Sequence, residues 1–115
     1  MNDKLMAEER MLILKFADKL DDQTAGVLRT DLEGAYVAHR TDDKSLTIFG
    51  ISNYKRPLYG GQHTYEVEGT MQDVDGAQLS VLLHADSDGH LLELELLRWD
   101  NAPINGPKWD SLKLY

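Results

Sequence analysis

The chain has 115 residues, no cysteine and a formal net charge of −8, with 20 acidic and 12 basic side chains. The length fits a single domain over residues 1–115, and the lack of cysteine excludes disulfides, thiolate metal sites and a cysteine nucleophile. The acidic balance argues against nucleic acid or a membrane as the partner, because phosphate groups need clustered Lys and Arg. No apolar run approaches the roughly 18 residues of a membrane helix, and charges interrupt the N-terminal region, so we expect a cytoplasmic protein.

A first helix is predicted over residues 3–20, because apolar side chains recur there at steps of three and four. These side chains would share one face: Met6, Leu12, Ile13, Phe16, Ala17 and Leu20. A second helix is predicted from a Thr24 N-cap to Gly34.

Strands are indicated from residue 35, where the apolar period changes to two. We predict strands over residues 35–40, 46–51, 65–71, 78–85 and 91–99, and a short edge strand over 112–115. The connections are too short for parallel crossovers. The sequence therefore predicts an α+β fold, with one or two N-terminal helices packed on an antiparallel β-meander of about five strands.

Residues 84–95 resemble a calcium loop at first sight. Asp86, Asp88, Gly89 and Glu95 match four positions of an EF-hand, but His84 stands where the first carboxylate belongs. The flanking residues alternate with period two, as in strands, whereas an EF-hand loop lies between helices. We therefore predict a β-hairpin with a turn at Asp88 and Gly89.

A metal site at this hairpin would need His84 and His90 to face each other, with an aspartate between them. No third strong ligand is evident, so we interpret both as surface histidines and expect no metal and no cofactor. No serine lies in a nucleophile elbow, and Gly60-Gly61 does not continue as a phosphate-binding loop. No catalytic residue is predicted.

Two stretches are candidates for binding a protein partner. The loop over residues 53–61 interleaves aromatic and basic side chains in an acidic protein, and four glutamates lie on predicted strands as same-face neighbours. The predicted partner-binding residues are Tyr54, Lys55, Arg56, Tyr59, Glu66, Glu68, Glu93 and Glu95. Trp99 and Trp109 are predicted to close the core, whereas an exposed pair would indicate a partner groove.

The C-terminal half also carries a group of residues that suggests a family. They are Leu83, His84, Ala85, Asp86, Asp88, Gly89, the run 92–95, Arg98, Asp100, Pro103 and Ile104. Together with the Glu8-Glu9-Arg10 helix, this pattern resembles small uncharacterised bacterial single-domain proteins, in which an Asp-x-Asp-Gly hairpin is followed by a Glu-Leu-Glu strand. The resemblance implies a bacterial, intracellular protein and supplies no activity.

The preferred hypothesis is a non-catalytic interaction or regulatory module, of an immunity type, that binds a basic protein. The alternative is a small-molecule binding protein or small enzyme with a pocket between helix and sheet. The sequence leaves open whether the chain forms a homo-oligomer.

Overall fold

A computed structural model describes residues 3–58 and 60–115 of the chain. Two helices, α1 (Ala7–Asp18) and α2 (Asp22–Glu33), precede seven strands. The strands are β1 (Ala35–Arg40), β2 (Leu46–Ile51), β3 (His63–Thr64), β4 (Gly69–Asp73), β5 (Gln78–Ala85), β6 (Leu91–Arg98) and β7 (Pro107–Leu114). All pairings are antiparallel, in the order β1-β2-β6-β5-β4-β7, with β3 beside the end of β5. The predicted α+β class is confirmed.

The strand count and the topology differ from the prediction. Of the predicted third strand, only residues 69–71 are strand, in β4, whereas residues 65–68 form a link to the short β3 that precedes them. The C-terminal strand begins at Pro107. The sheet is also not a simple meander, because β2 pairs with β6. β6 and β5 carry the most buried leucines and therefore occupy the centre of the sheet, where both of their edges are paired.

The helix α1 is shorter than predicted and α2 begins earlier than predicted, because of contacts at their N-terminal ends. Asp3 forms a backbone bridge with Val37 instead of entering α1, and the Met6 amide donates to the Glu9 carboxylate at 2.8 Å. The cap of α2 is Asp21 and not Thr24, since the Asp21 carboxylate accepts from the Thr24 amide at 2.8 Å. The predicted apolar face of α1 is confirmed by the burial of Leu12, Ile13, Phe16 and Ala17.

The two helices cover only one face of the sheet. On β5, Leu79, Val81 and Leu83 are fully buried, whereas the intervening Ser80 and Leu82 are half-buried. Residues that pair across neighbouring strands point to the same face of the sheet, so the pairing register shows which residues lie on the face that the helices do not cover. We call it the open face, and on the central strands it consists of Ser80, Leu82, His84, Glu93, Glu95 and Leu97.

The end of β6 is held by an arginine clamp. Arg98 donates to Asp73 at 2.8 Å, to Asp75 at 2.7 Å and to Asp100 at 2.7 Å. Asp73 is fully buried and also accepts from the backbone amides of Val74, Asn105 and Gly106. The clamp therefore joins the β4–β5 turn to the segment that leads into β7.

Neither α1 nor α2 has the length and apolar composition needed to cross a membrane, and the described residues contain no other α-helix.

Candidate protein-binding surface

The four predicted glutamates lie on one side of the molecule. Glu93 and Glu95 belong to the open face by register, because Glu93 pairs with His84 and Glu95 pairs with Leu82. Glu66 and Glu68 are exposed in the link between β3 and β4, where they alternate with buried residues. A groove of about 540 Å³ beside Leu82 is lined by both of these glutamates, together with Thr64, Tyr65, Val67 and Tyr115. The fold thus gathers residues that are almost thirty positions apart in the sequence.

His84 is the buried anchor of this surface and not the surface histidine that the sequence indicated. Its ring lies between Glu95 Oε1, 3.1 Å from Nε2, and Thr64 Oγ1, 3.0 Å from Nδ1. A carboxylate only accepts hydrogen bonds, so Nε2 donates to Glu95, and Nδ1 shares a hydrogen bond with the Thr64 hydroxyl. These contacts fix the Glu95 carboxylate on the open face.

Two apolar side chains extend the row of glutamates along β6. Leu97 is 46% exposed, and Trp99, directly after the strand, is 64% exposed. Trp109 is partly buried against the core, so core closure is confirmed for Trp109 and wrong for Trp99. The period-two pattern of Glu93 and Glu95 continues through Leu97 to Trp99, which is the signal that could have placed this tryptophan outside the core.

The predicted aromatic and basic loop turns partly inward. The Tyr54 hydroxyl donates to Asp86 Oδ2 at 2.6 Å, and Arg56 donates to the same oxygen at 2.9 Å. Arg56 also donates to the carbonyl oxygens of Phe49 and Leu91. Lys55 is exposed, and Tyr59 lies outside the described residues. Tyr54 and Arg56 therefore hold the β5–β6 hairpin to the loop.

Asp86 is the centre of this loop–hairpin contact. Its Oδ1 accepts the backbone amides of Asp88 at 2.9 Å and His90 at 3.0 Å. Burial acts to raise the pKa of Asp86, but the hydrogen bonds from Tyr54, Arg56 and the two amides outweigh it and lower the pKa to about 2. Burial and the neighbouring Asp86 carboxylate raise the pKa of Tyr54 to about 12.

Changing Tyr54 to Phe is expected to lower the free energy of unfolding by about 1–2 kcal/mol, because a hydrogen bond to a charged carboxylate is lost. Urea denaturation followed by circular dichroism measures the change. Tyr36→Phe is the matched control, since the Tyr36 hydroxyl has no hydrogen bond within residues 3–58 and 60–115. Equal stability of the two variants would contradict a structural role for the Tyr54 hydroxyl.

His90 points towards α2 rather than towards His84. Its Nδ1 lies 2.9 Å from Asp31 Oδ1 and 3.1 Å from Oδ2, and the Leu91 amide donates to Asp31 Oδ2 at 3.0 Å. The Tyr54 ring packs on the imidazole, with 4.5 Å between the ring centroids. Asp31 is buried, so this pair ties the tip of the hairpin to the helix.

The comparisons with known proteins give a family and no activity. Residues 2–107 match the family described as domain of unknown function (DUF6984). The chain belongs to this family. The open-face glutamates, Leu97, Trp99, Asp86 and the arginine clamp all lie within the matched residues of the DUF6984 domain. Searches of curated proteins and of solved structures found no match.

The predicted β-hairpin between β5 and β6 of the DUF6984 domain is confirmed, with its turn at Asp88 and Gly89. Gly89 has a φ of 87°, and the Asp86 amide donates to the His90 carbonyl at 2.8 Å. Glu95 binds His84 on the open face, whereas Asp86 binds Tyr54 and Arg56. Within the part of the chain that the structure describes, no three His, Asp or Glu side chains are grouped to hold a metal ion.

Proposed function

We propose that this DUF6984 domain is a non-catalytic module that binds a basic protein through the open face of its sheet. The observation that supports the proposal is the grouping of Glu66, Glu68, Glu93 and Glu95 with exposed Leu97 and Trp99 on a face that the helices leave uncovered. Aromatic anchors surrounded by charged residues are typical of protein interfaces.

Charge favours a basic partner. The carboxylates of Glu66, Glu68 and Glu93 form no ion pair or hydrogen bond within residues 3–58 and 60–115. The net charge of −8 adds a long-range attraction for a cationic protein, which raises the association rate at low salt. An immunity-type or regulatory role in the bacterial cytoplasm fits this charge and size.

The tyrosine loop is the weaker candidate surface. Tyr54 and Arg56 already bind Asp86, so of its described aromatic and basic side chains only Lys55 is exposed without a hydrogen bond. An interface on the loop would have to break a contact that stabilises the hairpin. The open face needs no such rearrangement.

Affinity capture from the host with paired charge reversals tests the proposal. We expect one stoichiometric basic protein to be captured at low salt, lost at high salt, and lost when Glu93 and Glu95 are both changed to Lys. The control reverses Glu8 and Glu33, which are exposed on the helices and carry the same change in net charge. If both double variants reduce capture equally, or if neither variant reduces it, the result would contradict binding through the open face.

The alternative function, a small-ligand protein or enzyme, is favoured by the environment of His90. Asp31 orients the ring through Nδ1, and Nε2 has no hydrogen bond within the described ranges 3–58 and 60–115. His90 and Asp31 line an open groove along α2 with Asp22, Gln23, Gly26, Val27 and Thr30. A thermal-shift screen of metabolites against the wild type and His90→Gln tests this alternative, because a ligand of this groove would stabilise only the wild type.

A further inference from the structure

We infer that Trp99 is the contact point for an arginine of the basic partner, carried on an extended segment that lies along β6. This inference rests on the proposed function and specifies which chemistry the partner presents. It rests on three features: the fixed orientation of the indole, the acidic charges of the β6 row that ends at Trp99, and the spacing of that row.

The Trp99 indole is exposed but held in place. Its Nε1 donates to Ser80 Oγ at 2.9 Å, so the ring lies over the open face with its donor already satisfied. The Trp99 amide donates to the Gln78 carbonyl at 3.0 Å, and the Asn101 amide closes the following turn on Arg98 at 3.1 Å. An aromatic side chain that is ordered before binding loses little conformational freedom when a partner arrives.

The adjacent Arg98 does not repel a cation at Trp99, because its side chain lies on the opposite face of the sheet, where it pairs with buried Leu79, and because its charge is neutralised. Arg98 carries one positive charge and binds three carboxylates, those of Asp73, Asp75 and Asp100. Asp75 and Asp100 are half-exposed, so their field reaches solvent. The exposed face of an indole attracts a cation, and a guanidinium stacks on it better than an ammonium because it is planar and less strongly hydrated.

The row along β6 has the repeat of an extended chain. Glu93, Glu95, Leu97 and Trp99 follow one another at every second residue, which is roughly 6.8 Å. Alternate side chains of an extended partner segment have the same repeat. Such a segment would place arginine on Trp99, an apolar residue on Leu97 and basic residues on Glu95 and Glu93.

A second copy of this chain is the less suitable occupant. Stacking two open faces would bring two sets of glutamates into one interface. The basic residues that the register places on this side, Lys108 and Lys113, lie on the outer strand β7 and not in the β6 row. The charges of the row are therefore better matched by a basic segment.

The test uses the fluorescence of Trp99 in a Trp109→Phe background. The probes are a blocked peptide Arg-Thr-Leu-Thr-Lys-Thr-Lys and a twin with citrulline, which has the shape of arginine without its charge. We expect the arginine peptide to shift the Trp99 emission saturably and to bind at least about threefold more tightly than the citrulline twin. Equal affinities of the two peptides, or no shift with either, would overturn the inference.

Two further variants separate this inference from the proposed function. In the Trp99→Leu variant, where amide NMR shifts replace fluorescence as the readout of binding, the preference for the arginine peptide should disappear. The double variant Glu93→Gln, Glu95→Gln should instead bind both peptides more weakly. Val74→Ala, at another exposed apolar position, should change neither affinity. If protein capture depends on Glu93 and Glu95 but the two peptides bind equally, the arginine contact is contradicted and the proposed function is not. If protein capture also fails, both the proposed function and the arginine contact are contradicted. Emission that changes with protein concentration alone would instead identify a second copy as the occupant.

Discussion

Changing Asp73 to Ala should lower the free energy of unfolding by about 3–5 kcal/mol, the largest effect we expect from a single polar substitution. The Asp73 carboxylate is fully buried and accepts from the Arg98 guanidinium and from three backbone amides, at 2.7–2.8 Å. Removing it leaves Arg98 Nη1 and the amides of Asn105 and Gly106 without their acceptor, and the cost of such unsatisfied groups exceeds the value of the bonds themselves. Urea denaturation measures the loss.

The control for Asp73 is Asp110→Ala, at an exposed aspartate on β7 whose carboxylate forms no hydrogen bond within the described residues. It should change stability by less than about 0.5 kcal/mol. Asp73→Asn keeps the size and some of the acceptor capacity, so its loss should be intermediate. If Asp73→Ala were no worse than the control, the clamp would not stabilise the fold.

Lowering the pH should destabilise the protein, in part because the Asp86 carboxylate becomes protonated. The folded-state pKa of Asp86 is about 2, below its ordinary value of 3.8. A carboxylate with a depressed pKa adds stability that is fully present above the unfolded pKa and is lost as the pH falls through the folded one. The loss should therefore occur between about pH 4 and pH 2, and a depression of this size corresponds to roughly 2 kcal/mol.

A comparison of the wild type with Asp86→Asn isolates this contribution, because other aspartates of the chain also titrate in acid. The variant should be less stable at neutral pH, and the difference from the wild type should shrink as the pH falls towards 2. Chemical denaturation at several pH values provides the measurement. A difference that stays constant down to pH 2 would show that the Asp86 charge does not stabilise the hairpin.

Asp86 and Asp73 lie at opposite ends of the central strands. Asp86 orders the hairpin before β6, and Asp73 orders the clamp after it. Between them, β6 presents Glu93, Glu95 and Leu97 on the open face. Removing the Asp73 or Asp86 carboxylate should therefore affect partner binding only indirectly, by making β6 less well ordered.

Much of the candidate surface could be predicted from alternation along the chain. Glu93 and Glu95 were expected to share a face because every second residue of a strand points the same way, and the register confirms it. Trp99 was misplaced because a tryptophan near the C-terminus usually buries its ring. Here the indole N–H binds Ser80, an open-face residue of the neighbouring strand, and that contact depends on the pairing of β5 with β6.

Local patterns thus decided the helices, most of the strands, the turn at Gly89 and the acidic character of the chain. These features depend on residues within a few positions of one another. Only the tertiary structure decided the placement of β2 beside β6, the inward turn of Tyr54 and Arg56 onto Asp86, and the groove that Glu66 and Glu68 share with Leu82, the cross-strand neighbour of Glu95. Each of these requires strand pairing or burial between distant segments, because many alternative pairings satisfy the same local periodicity and only packing of the whole core selects one.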